Sequence, residues 1–209
     1  MYKRQGLKSA VLEGCDYTWL MDDDTIPSST ALEELVKVTL LDENVGFVCS
    51  QVNWTDGKPH AMNKACLIYK NGVQSKVEHN GVLGIHCNLA SFVSVLVNTK
   101  AVYQLGLPIK EFFIWCDDLE YTLRIANSYP CFYAPNSIVC HKTATNYSPS
   151  IDKAPANMAW RFYYSIRNSC YIKRKQVNRI VFFFSVLNKY RVCICLLYTS
   201  PSPRDYAAS

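Results

Sequence analysis

The sequence predicts an α/β protein, a sheet of buried strands with helices packed on its flanks, and three observations support that class. Short runs of aromatic and aliphatic residues free of charge recur at Tyr17–Met21, Val45–Cys49 and Ser91–Val97, each the length of a core strand. Between them lie segments with helical periodicity and helix punctuation. The chain of 209 residues is 49% hydrophobic, enough to bury a substantial core.

Taken in order, Gly6–Gly14 reads as a helix with Leu7, Ala10 and Val11 on one face and Gly14 as its stop. It hands directly to the Tyr17–Met21 strand, so the chain is expected to enter in the middle of an αβ unit, with the preceding strands of the sheet missing. Pro27, Ser28 and Ser29 break the strand, and Thr30-x-x-Glu33 has the spacing of a capping box. The helix that follows is expected to run from Thr30 to Leu41 with Leu32, Leu35, Val36 and Leu40 as its apolar stripe. Residues 50–87 lose clear periodicity, which suits an active-site loop region or a pair of weak edge strands. After Ser91–Val97, Thr99 is expected to cap a short helix, Ala101–Leu105, ended by Gly106 and Pro108. A further helix is expected from Asp117 to about Ser128, with Leu119, Leu123 and Ala126 on its buried side. Its capping box would be Asp117-x-x-Glu120. A last strand, Ser137–Cys140, ends on His141.

Two of the hydrophobic runs stop on acids. Asp22, Asp23 and Asp24 follow Trp19-Leu20-Met21, at the carboxyl end of a strand, where open α/β sheets bind their ligands. Three carboxylates packed together repel by several kcal/mol unless a cation neutralises them, and hard oxygen ligands suit Mg²⁺ or Mn²⁺. The plainer alternative is a solvated acidic turn in which Asp24 helps to cap the next helix. The second cluster, Asp117-Asp118-Leu119-Glu120, follows Phe112-Phe113-Ile114-Trp115. Capping accounts for Asp117 and Glu120 and leaves Asp118 in the first helical turn, held ionised by backbone N–H groups and suited to act as a general base. His141 stands to its strand as the aspartates stand to theirs, and a neutral imidazole there would complete an Asp/Asp/His metal shell. His60, His79 and His86 have no metal-ligand spacing and read as packing or surface residues.

The net charge of +5 is concentrated near the C-terminal end, at Lys173, Arg174, Lys175, Arg179, Lys189 and Arg191. Ile180–Leu187 is too short to span a bilayer. It reads either as a segment lying on an anionic membrane surface or as a core helix with a solvated basic rim. Residues 1–20 carry no apolar h-region, and the ten cysteines are scattered without a Cys-x-x-Cys, which argues for buried free thiols in a reducing cytosol. Cys195–Asp205 and Met1–Gln5 resemble translated sequencing adapter, so residues 1–5 and 195–209 are expected to be non-native, flanking an α/β region at 6–150 and a helical region at 151–194.

The order of Trp19-Leu20-Met21-Asp22-Asp23-Asp24, Ser91-Phe92, Gly106-Leu107-Pro108, Phe112–Arg124 and His141 resembles glycosyltransferase family 2, most closely its rhamnosyltransferase and galactofuranosyltransferase branch. The resemblance extends over about Gly6 to Lys175 and includes the aromatic Trp160–Asn168 segment. It implies a partial GT-A, Rossmann-like sheet whose first nucleotide-binding strands are missing. It implies that Asp22, Asp23 and Asp24 bind the donor, that Asp22, Asp24 and His141 hold Mn²⁺ or Mg²⁺, and that Asp118 is the catalytic base. Trp115, Asp117 and Glu120 would line the acceptor side. The implied partners are a UDP- or dTDP-sugar and a glycan or lipid-linked glycan; with the basic-flanked Ile180–Leu187 segment and the scattered thiols, the expected setting is the cytoplasm, with peripheral contact at the inner face of the membrane as one reading and no nucleic acid partner. Asp22-x-Asp24-Thr25 also resembles the nucleophile motif of haloacid dehalogenase-like phosphatases, although Ile26 departs from that pattern and Asp117–Glu120 has no part in it. A third reading is a catalytically inert piece that binds nucleotide weakly.

Overall fold

The structure is a computed structural model that describes residues 2–148, 150–151 and 156–199, with the backbone alone at 156 and 192–199. Met1, Pro149, residues 152–155 and the stretch 200–209 of the expected non-native end lie outside the described residues. The chain divides into two compact units, Met1–Pro149 and Ser150–Ser209.

The first unit is mixed α/β, a largely antiparallel sheet flanked by helices. Its elements are α1 (Tyr2–Leu12), β1 (Tyr17–Met21), β2 (Thr25–Pro27), α2 (Ala31–Thr39), β3 (Phe47–Asn53), β4 (Cys66–Leu67), β5 (Tyr69–Lys70), β6 (Val73–Gln74), β7 (Lys76–His79), β8 (Val82–Leu89), β9 (Ser94–Asn98), α3 (Thr99–Leu105), a 3-10 turn at Lys110–Phe112, α4 (Asp117–Ala126) and β10 (Cys131–His141). The main sheet runs β1-β9-β3-β10-β8-β4, with β2 added to β10 and β7 to β8. One pair, β3 with β10, is parallel, and its neighbours are antiparallel.

The central strands are buried on both faces. In β3, Phe47 and Cys49 face a core shared with α1, α3 and α4, whereas Val48 faces Leu35 and Val38 of α2. That is why the strands read as continuous apolar runs without polar alternation. Each large side chain so buried contributes roughly 1.5–3 kcal/mol. Gly46 lets α4 approach the start of β3, because a Cβ there would overlap the side chains of Ile125 and Tyr129.

Helix faces differ from the expected stripes. In α2 the buried residues are Ala31, Leu35, Val38 and Thr39, and Leu32, Val36 and Leu40 are exposed. In α4 they are Glu120, Tyr121, Thr122 and Ile125, and Leu119 faces outward. Neither predicted capping box forms. Thr30 makes no side-chain cap bond, and Glu33 pairs with Lys37. The α4 cap is Cys116 in a left-handed conformation, with Glu120 turned to Arg124. Asn98, not Thr99, caps α3, accepting from the Lys100 N–H at 2.9 Å. Within 50–87, Asn71-Gly72 and Asn80-Gly81 sit at positive φ between β5 and β6 and between β7 and β8, as two-residue hairpin turns require.

A buried line of hydroxyls crosses the sheet. The Trp19 indole N–H donates to Ser94 Oγ at 3.0 Å, Ser94 and Ser50 lie 2.7 Å apart, Ser50 and Ser137 2.8 Å, and Ser137 donates to the Ala31 carbonyl at 2.8 Å. Indole can only donate and a carbonyl can only accept, so each hydroxyl passes its one proton in the same direction. Ser137 reaches Ser50 because β10 carries an irregularity between Ala134 and Ile138.

The second unit holds a 3-10 turn at Ala156–Met158, α5 (Ala159–Gln176) and α6 (Arg179–Thr199). Its aromatic and basic side chains stack, Arg161 over Trp160, Arg167 over Tyr164 and Lys175 over Tyr171. No helix among the described residues is long and apolar enough to cross a membrane.

Replacing Ser50 with Val leaves the buried Ser94 hydroxyl without an acceptor for its proton and the Ser137 oxygen without its donor, and is expected to destabilise the fold by about 1–3 kcal/mol for each bond so lost. Urea unfolding of Ser50→Val against the wild type measures it.

Candidate metal centre

The turn from β1 to β2 carries the three aspartates. It is closed by the Thr25 N–H donating to the Asp22 carbonyl at 3.2 Å. Strand β2 then pairs with the end of β10 in the register Thr25↔His141, Ile26↔Cys140 and Pro27↔Val139. The Lys142 N–H donates to the Asp24 carbonyl at 2.9 Å and extends that ladder by one more bond. Antiparallel pairing therefore sets His141, distant in sequence, beside Asp22 and Asp24.

The three side chains converge. His141 Nε2 lies 3.1 Å from Asp24 Oδ1 and 3.9 Å from Asp22 Oδ2, and one ligand atom from each residue falls within 4.8 Å of the others. His141 is buried and Asp24 exposed, so the group opens to solvent on its carboxylate side. Asp23 is exposed and stands apart from the trio.

The imidazole is held from behind. His141 Nδ1 lies 2.9 Å from Asn63 Oδ1, and an amide oxygen only accepts, so Nδ1 carries the proton and Nε2 is aimed at the carboxylates. A bare Nε2 lone pair 3.1 Å from a carboxylate oxygen is repulsive unless a cation or a second proton lies between them. Two oxygens and one nitrogen in this arrangement fit Mg²⁺ or Mn²⁺.

His60 packs against His141 with ring centroids 4.8 Å apart. Its Nδ1 accepts from the Met62 N–H, so its Nε2 donates to Thr143 Oγ1 at 2.9 Å, which donates on to the Thr145 carbonyl. Burial, followed by the field of His141, lowers the His60 pKa and keeps that ring neutral. His60 is thus a packing residue, as expected. His79 is exposed, and His86 stacks on Phe132. The loop that presents His60 and Asn63 is tied down by the Trp54 indole donating to the Thr143 carbonyl and by the Ala61 N–H donating to Asn146 Oδ1.

Lys3 of α1 contacts Asp22 Oδ1, and Arg4 donates to the Pro108 carbonyl at 3.0 Å. Residues 2–5, expected to be non-native, are helical here and supply positive charge to the carboxylates. Burial raises the pKa values of Asp117 and Asp118, and the Lys3 ammonium opposes that rise only in part.

The second acidic cluster follows a strained segment. Phe113, Trp115 and Cys116 all have positive φ, a conformation that non-glycine residues adopt rarely and at a cost of about 1–3 kcal/mol each. It turns the chain sharply into α4 and leaves Trp115, Asp117 and Asp118 half-buried. Thr122 fixes this corner by donating to the Asp118 carbonyl at 2.8 Å and accepting from the Ala90 N–H at 3.2 Å. Burial, and then the Asp117 carboxylate, push the Asp118 carboxyl up to about 7, outweighing the Leu119 N–H that donates to it at 2.8 Å. The expectation that the helix N-terminus holds Asp118 firmly ionised is corrected: desolvation wins. Burial likewise raises Asp117.

Glu120 is spent elsewhere. Both its oxygens receive Arg124, Oε1 from Nε at 3.0 Å and Oε2 from Nη2 at 2.9 Å, and the same guanidinium holds the carbonyls of Leu105 and Leu107. The acceptor-side contact expected of Glu120 gives way to a clamp on the loop after α3. Asn63 had no sequence signal, since it lies in an aperiodic loop and bears no charge.

Asn63→Ala is expected to weaken Mn²⁺ binding by about 10–100-fold, because His141 loses its orienting acceptor; calorimetric titration with Mn²⁺ reads this. A second expectation concerns pH. Asp118 keeps its proton in the fold above the ordinary 3.8, so folding stability falls as pH rises from there through about 7. Asp118→Asn should therefore be more stable than the wild type at pH 8 and no more stable at pH 3, as measured by urea unfolding at both.

No protein-family model and no curated protein matches the chain. Among solved structures it is similar to that of A197 from STIV, at 8% sequence identity over 70% of this chain and 77% of that one, with a TM-score of 0.41. That level of likeness carries no statement about activity.

Proposed function

We propose that this chain is the catalytic part of a metal-dependent, inverting glycosyltransferase that moves a sugar of rhamnose or galactofuranose type. The donor is a UDP- or dTDP-sugar and the acceptor a glycan or lipid-linked glycan. The observation that carries this reading is the convergence of Asp22, Asp24 and His141 at the end of β1, in the same chain order as the motifs that resemble glycosyltransferase family 2.

Asp22, Asp24 and His141 would hold Mg²⁺ or Mn²⁺, which when bound supplies Lewis-acid stabilisation of charge on the leaving diphosphate. Asp118 takes the proton of the acceptor hydroxyl as that oxygen bonds the anomeric carbon. The bond to the diphosphate breaks in the same displacement, with its electron pair leaving on the nucleotide. A carboxylate with its pKa near 7 is well matched to that task, basic enough to accept a proton and ionised in a useful fraction near neutrality. Trp115 and Asp117, beside it on the strained corner, face the acceptor. A haloacid dehalogenase-like phosphatase would use Asp22 as nucleophile and has no part for Asp118.

With Mn²⁺ and a nucleotide-sugar donor, Asp118→Asn is expected to lower turnover by about 10²–10⁴-fold with donor affinity unchanged. Wild-type turnover in that variant, or phosphate release from simple phosphate esters by the unmodified chain, would overturn the proposal.

A further inference from the structure

The second unit presents a surface that the proposed sugar transfer does not use. Helix α6 starts after a two-residue connection at Val177 and Asn178, where Asn178 Oδ1 accepts from the Val181 N–H at 2.9 Å. Lys189 of α6 reaches back to Ser169 Oγ of α5, so the two helices form a hairpin. The face of α6 toward α5 carries the half-buried Phe182, Ser185 and Lys189, three and four residues apart. The opposite face carries Ile180, Phe183, Phe184 and Leu187, and Ile180 is 69% exposed while Phe183 and Phe184 are each 62% exposed.

Charge surrounds this apolar face. No Asp or Glu occurs between residues 153 and 204, and Lys173, Arg174, Lys175 and Arg179 stand at one end of the patch, with Arg191 at the other and Lys189 turned to α5. From Arg179 to Arg191 a helix rises about 18 Å. That is well short of the ~30 Å hydrocarbon core of a bilayer, which agrees with the absence of a membrane-crossing helix among the described residues. A water-exposed apolar face bounded by cations at both ends, with acids missing throughout, matches the headgroup boundary of an anionic membrane.

We propose that the α5–α6 hairpin docks on an anionic phospholipid surface. Helix α6 lies along the surface with Ile180, Phe183, Phe184 and Leu187 entering the acyl boundary, while the flanking lysines and arginines pair with lipid phosphates. The occupant is lipid because the face is complementary to it in charge as well as in polarity.

The test is sedimentation of the full chain with vesicles of phosphatidylcholine alone and of phosphatidylcholine mixed with phosphatidylglycerol, at low and high salt. Partition to the anionic vesicles should be about tenfold stronger or more and should fall with salt. Phe183→Asp combined with Phe184→Asp should remove it, with the circular dichroism spectrum unchanged. Lys173→Gln, Arg174→Gln and Lys175→Gln together should reduce the preference for anionic lipid, and they keep the test decisive if the aspartate variant fails to fold. Equal partition to neutral vesicles, no partition, or self-association of the chain in vesicle-free solution that Phe184→Asp disperses would each overturn the proposal, the last by showing a second copy as the occupant. Mn²⁺ binding at Asp22, Asp24 and His141 is read separately, so either result stands whatever the activity proves to be.

Discussion

The candidate centre depends on one pairing, the short strand β2 laid antiparallel on the end of β10. Without it the β1 turn and His141 would belong to separate loops. With it, the Asp24 backbone accepts from Lys142 and the two elements are in fixed register, so the side chains meet without needing attraction of their own. The repulsion among the carboxylates is carried by backbone hydrogen bonds and by the hydrophobic face beneath, where Ala31, Val52, Val93 and Val139 cluster. Construction of this kind keeps ligands on rigid elements and lets a cation meet a site already assembled.

The two acidic groups sit in different surroundings. After β1, Asp22 has Lys3 and His141 as neighbours, and Asp24, toward solvent, has His141. Asp118 stands beside another carboxylate in a half-buried corner, and its proton affinity rises accordingly. Chemically similar side chains thus meet different environments, as the ligand set and the base of the proposed reaction would require. The strained backbone at Phe113–Cys116 creates the second environment, and the bonds from Thr122 keep it from relaxing.

Much of this was legible in the chain. Continuous apolar runs announced the strands, and an acid or a histidine at the end of a run marked the site, because burial on both faces leaves strand ends as the places where polar side chains can reach solvent. Helix phase was harder. In α2, Leu32 and Leu35 are equally apolar, and only packing against β3 and β10 decides that Leu35 goes inward. The capping boxes failed because Glu33 and Glu120 each found a cation one turn ahead, at Lys37 and Arg124, whose attraction competes with a cap bond. The hairpins at Asn71-Gly72 and Asn80-Gly81 did carry a sequence signal in the dipeptides themselves, stronger than the missing periodicity of the strands around them. Asn63 carried none, since its role exists only once the loop after β3 folds back on β10.

The line of hydroxyls from Trp19 to Ala31 acts on register as well as on stability. Its members lie on β1, β9, β3 and β10, and a strand that slips by one residue turns its serine or tryptophan to the opposite face of the sheet. Any such slip strands buried donors and acceptors along the line, whereas apolar contacts, with valines on both faces, would forgive it. Because Ser137 and His141 share β10 and point to the same side, this polar thread also proofreads the alignment that brings the histidine to its aspartates.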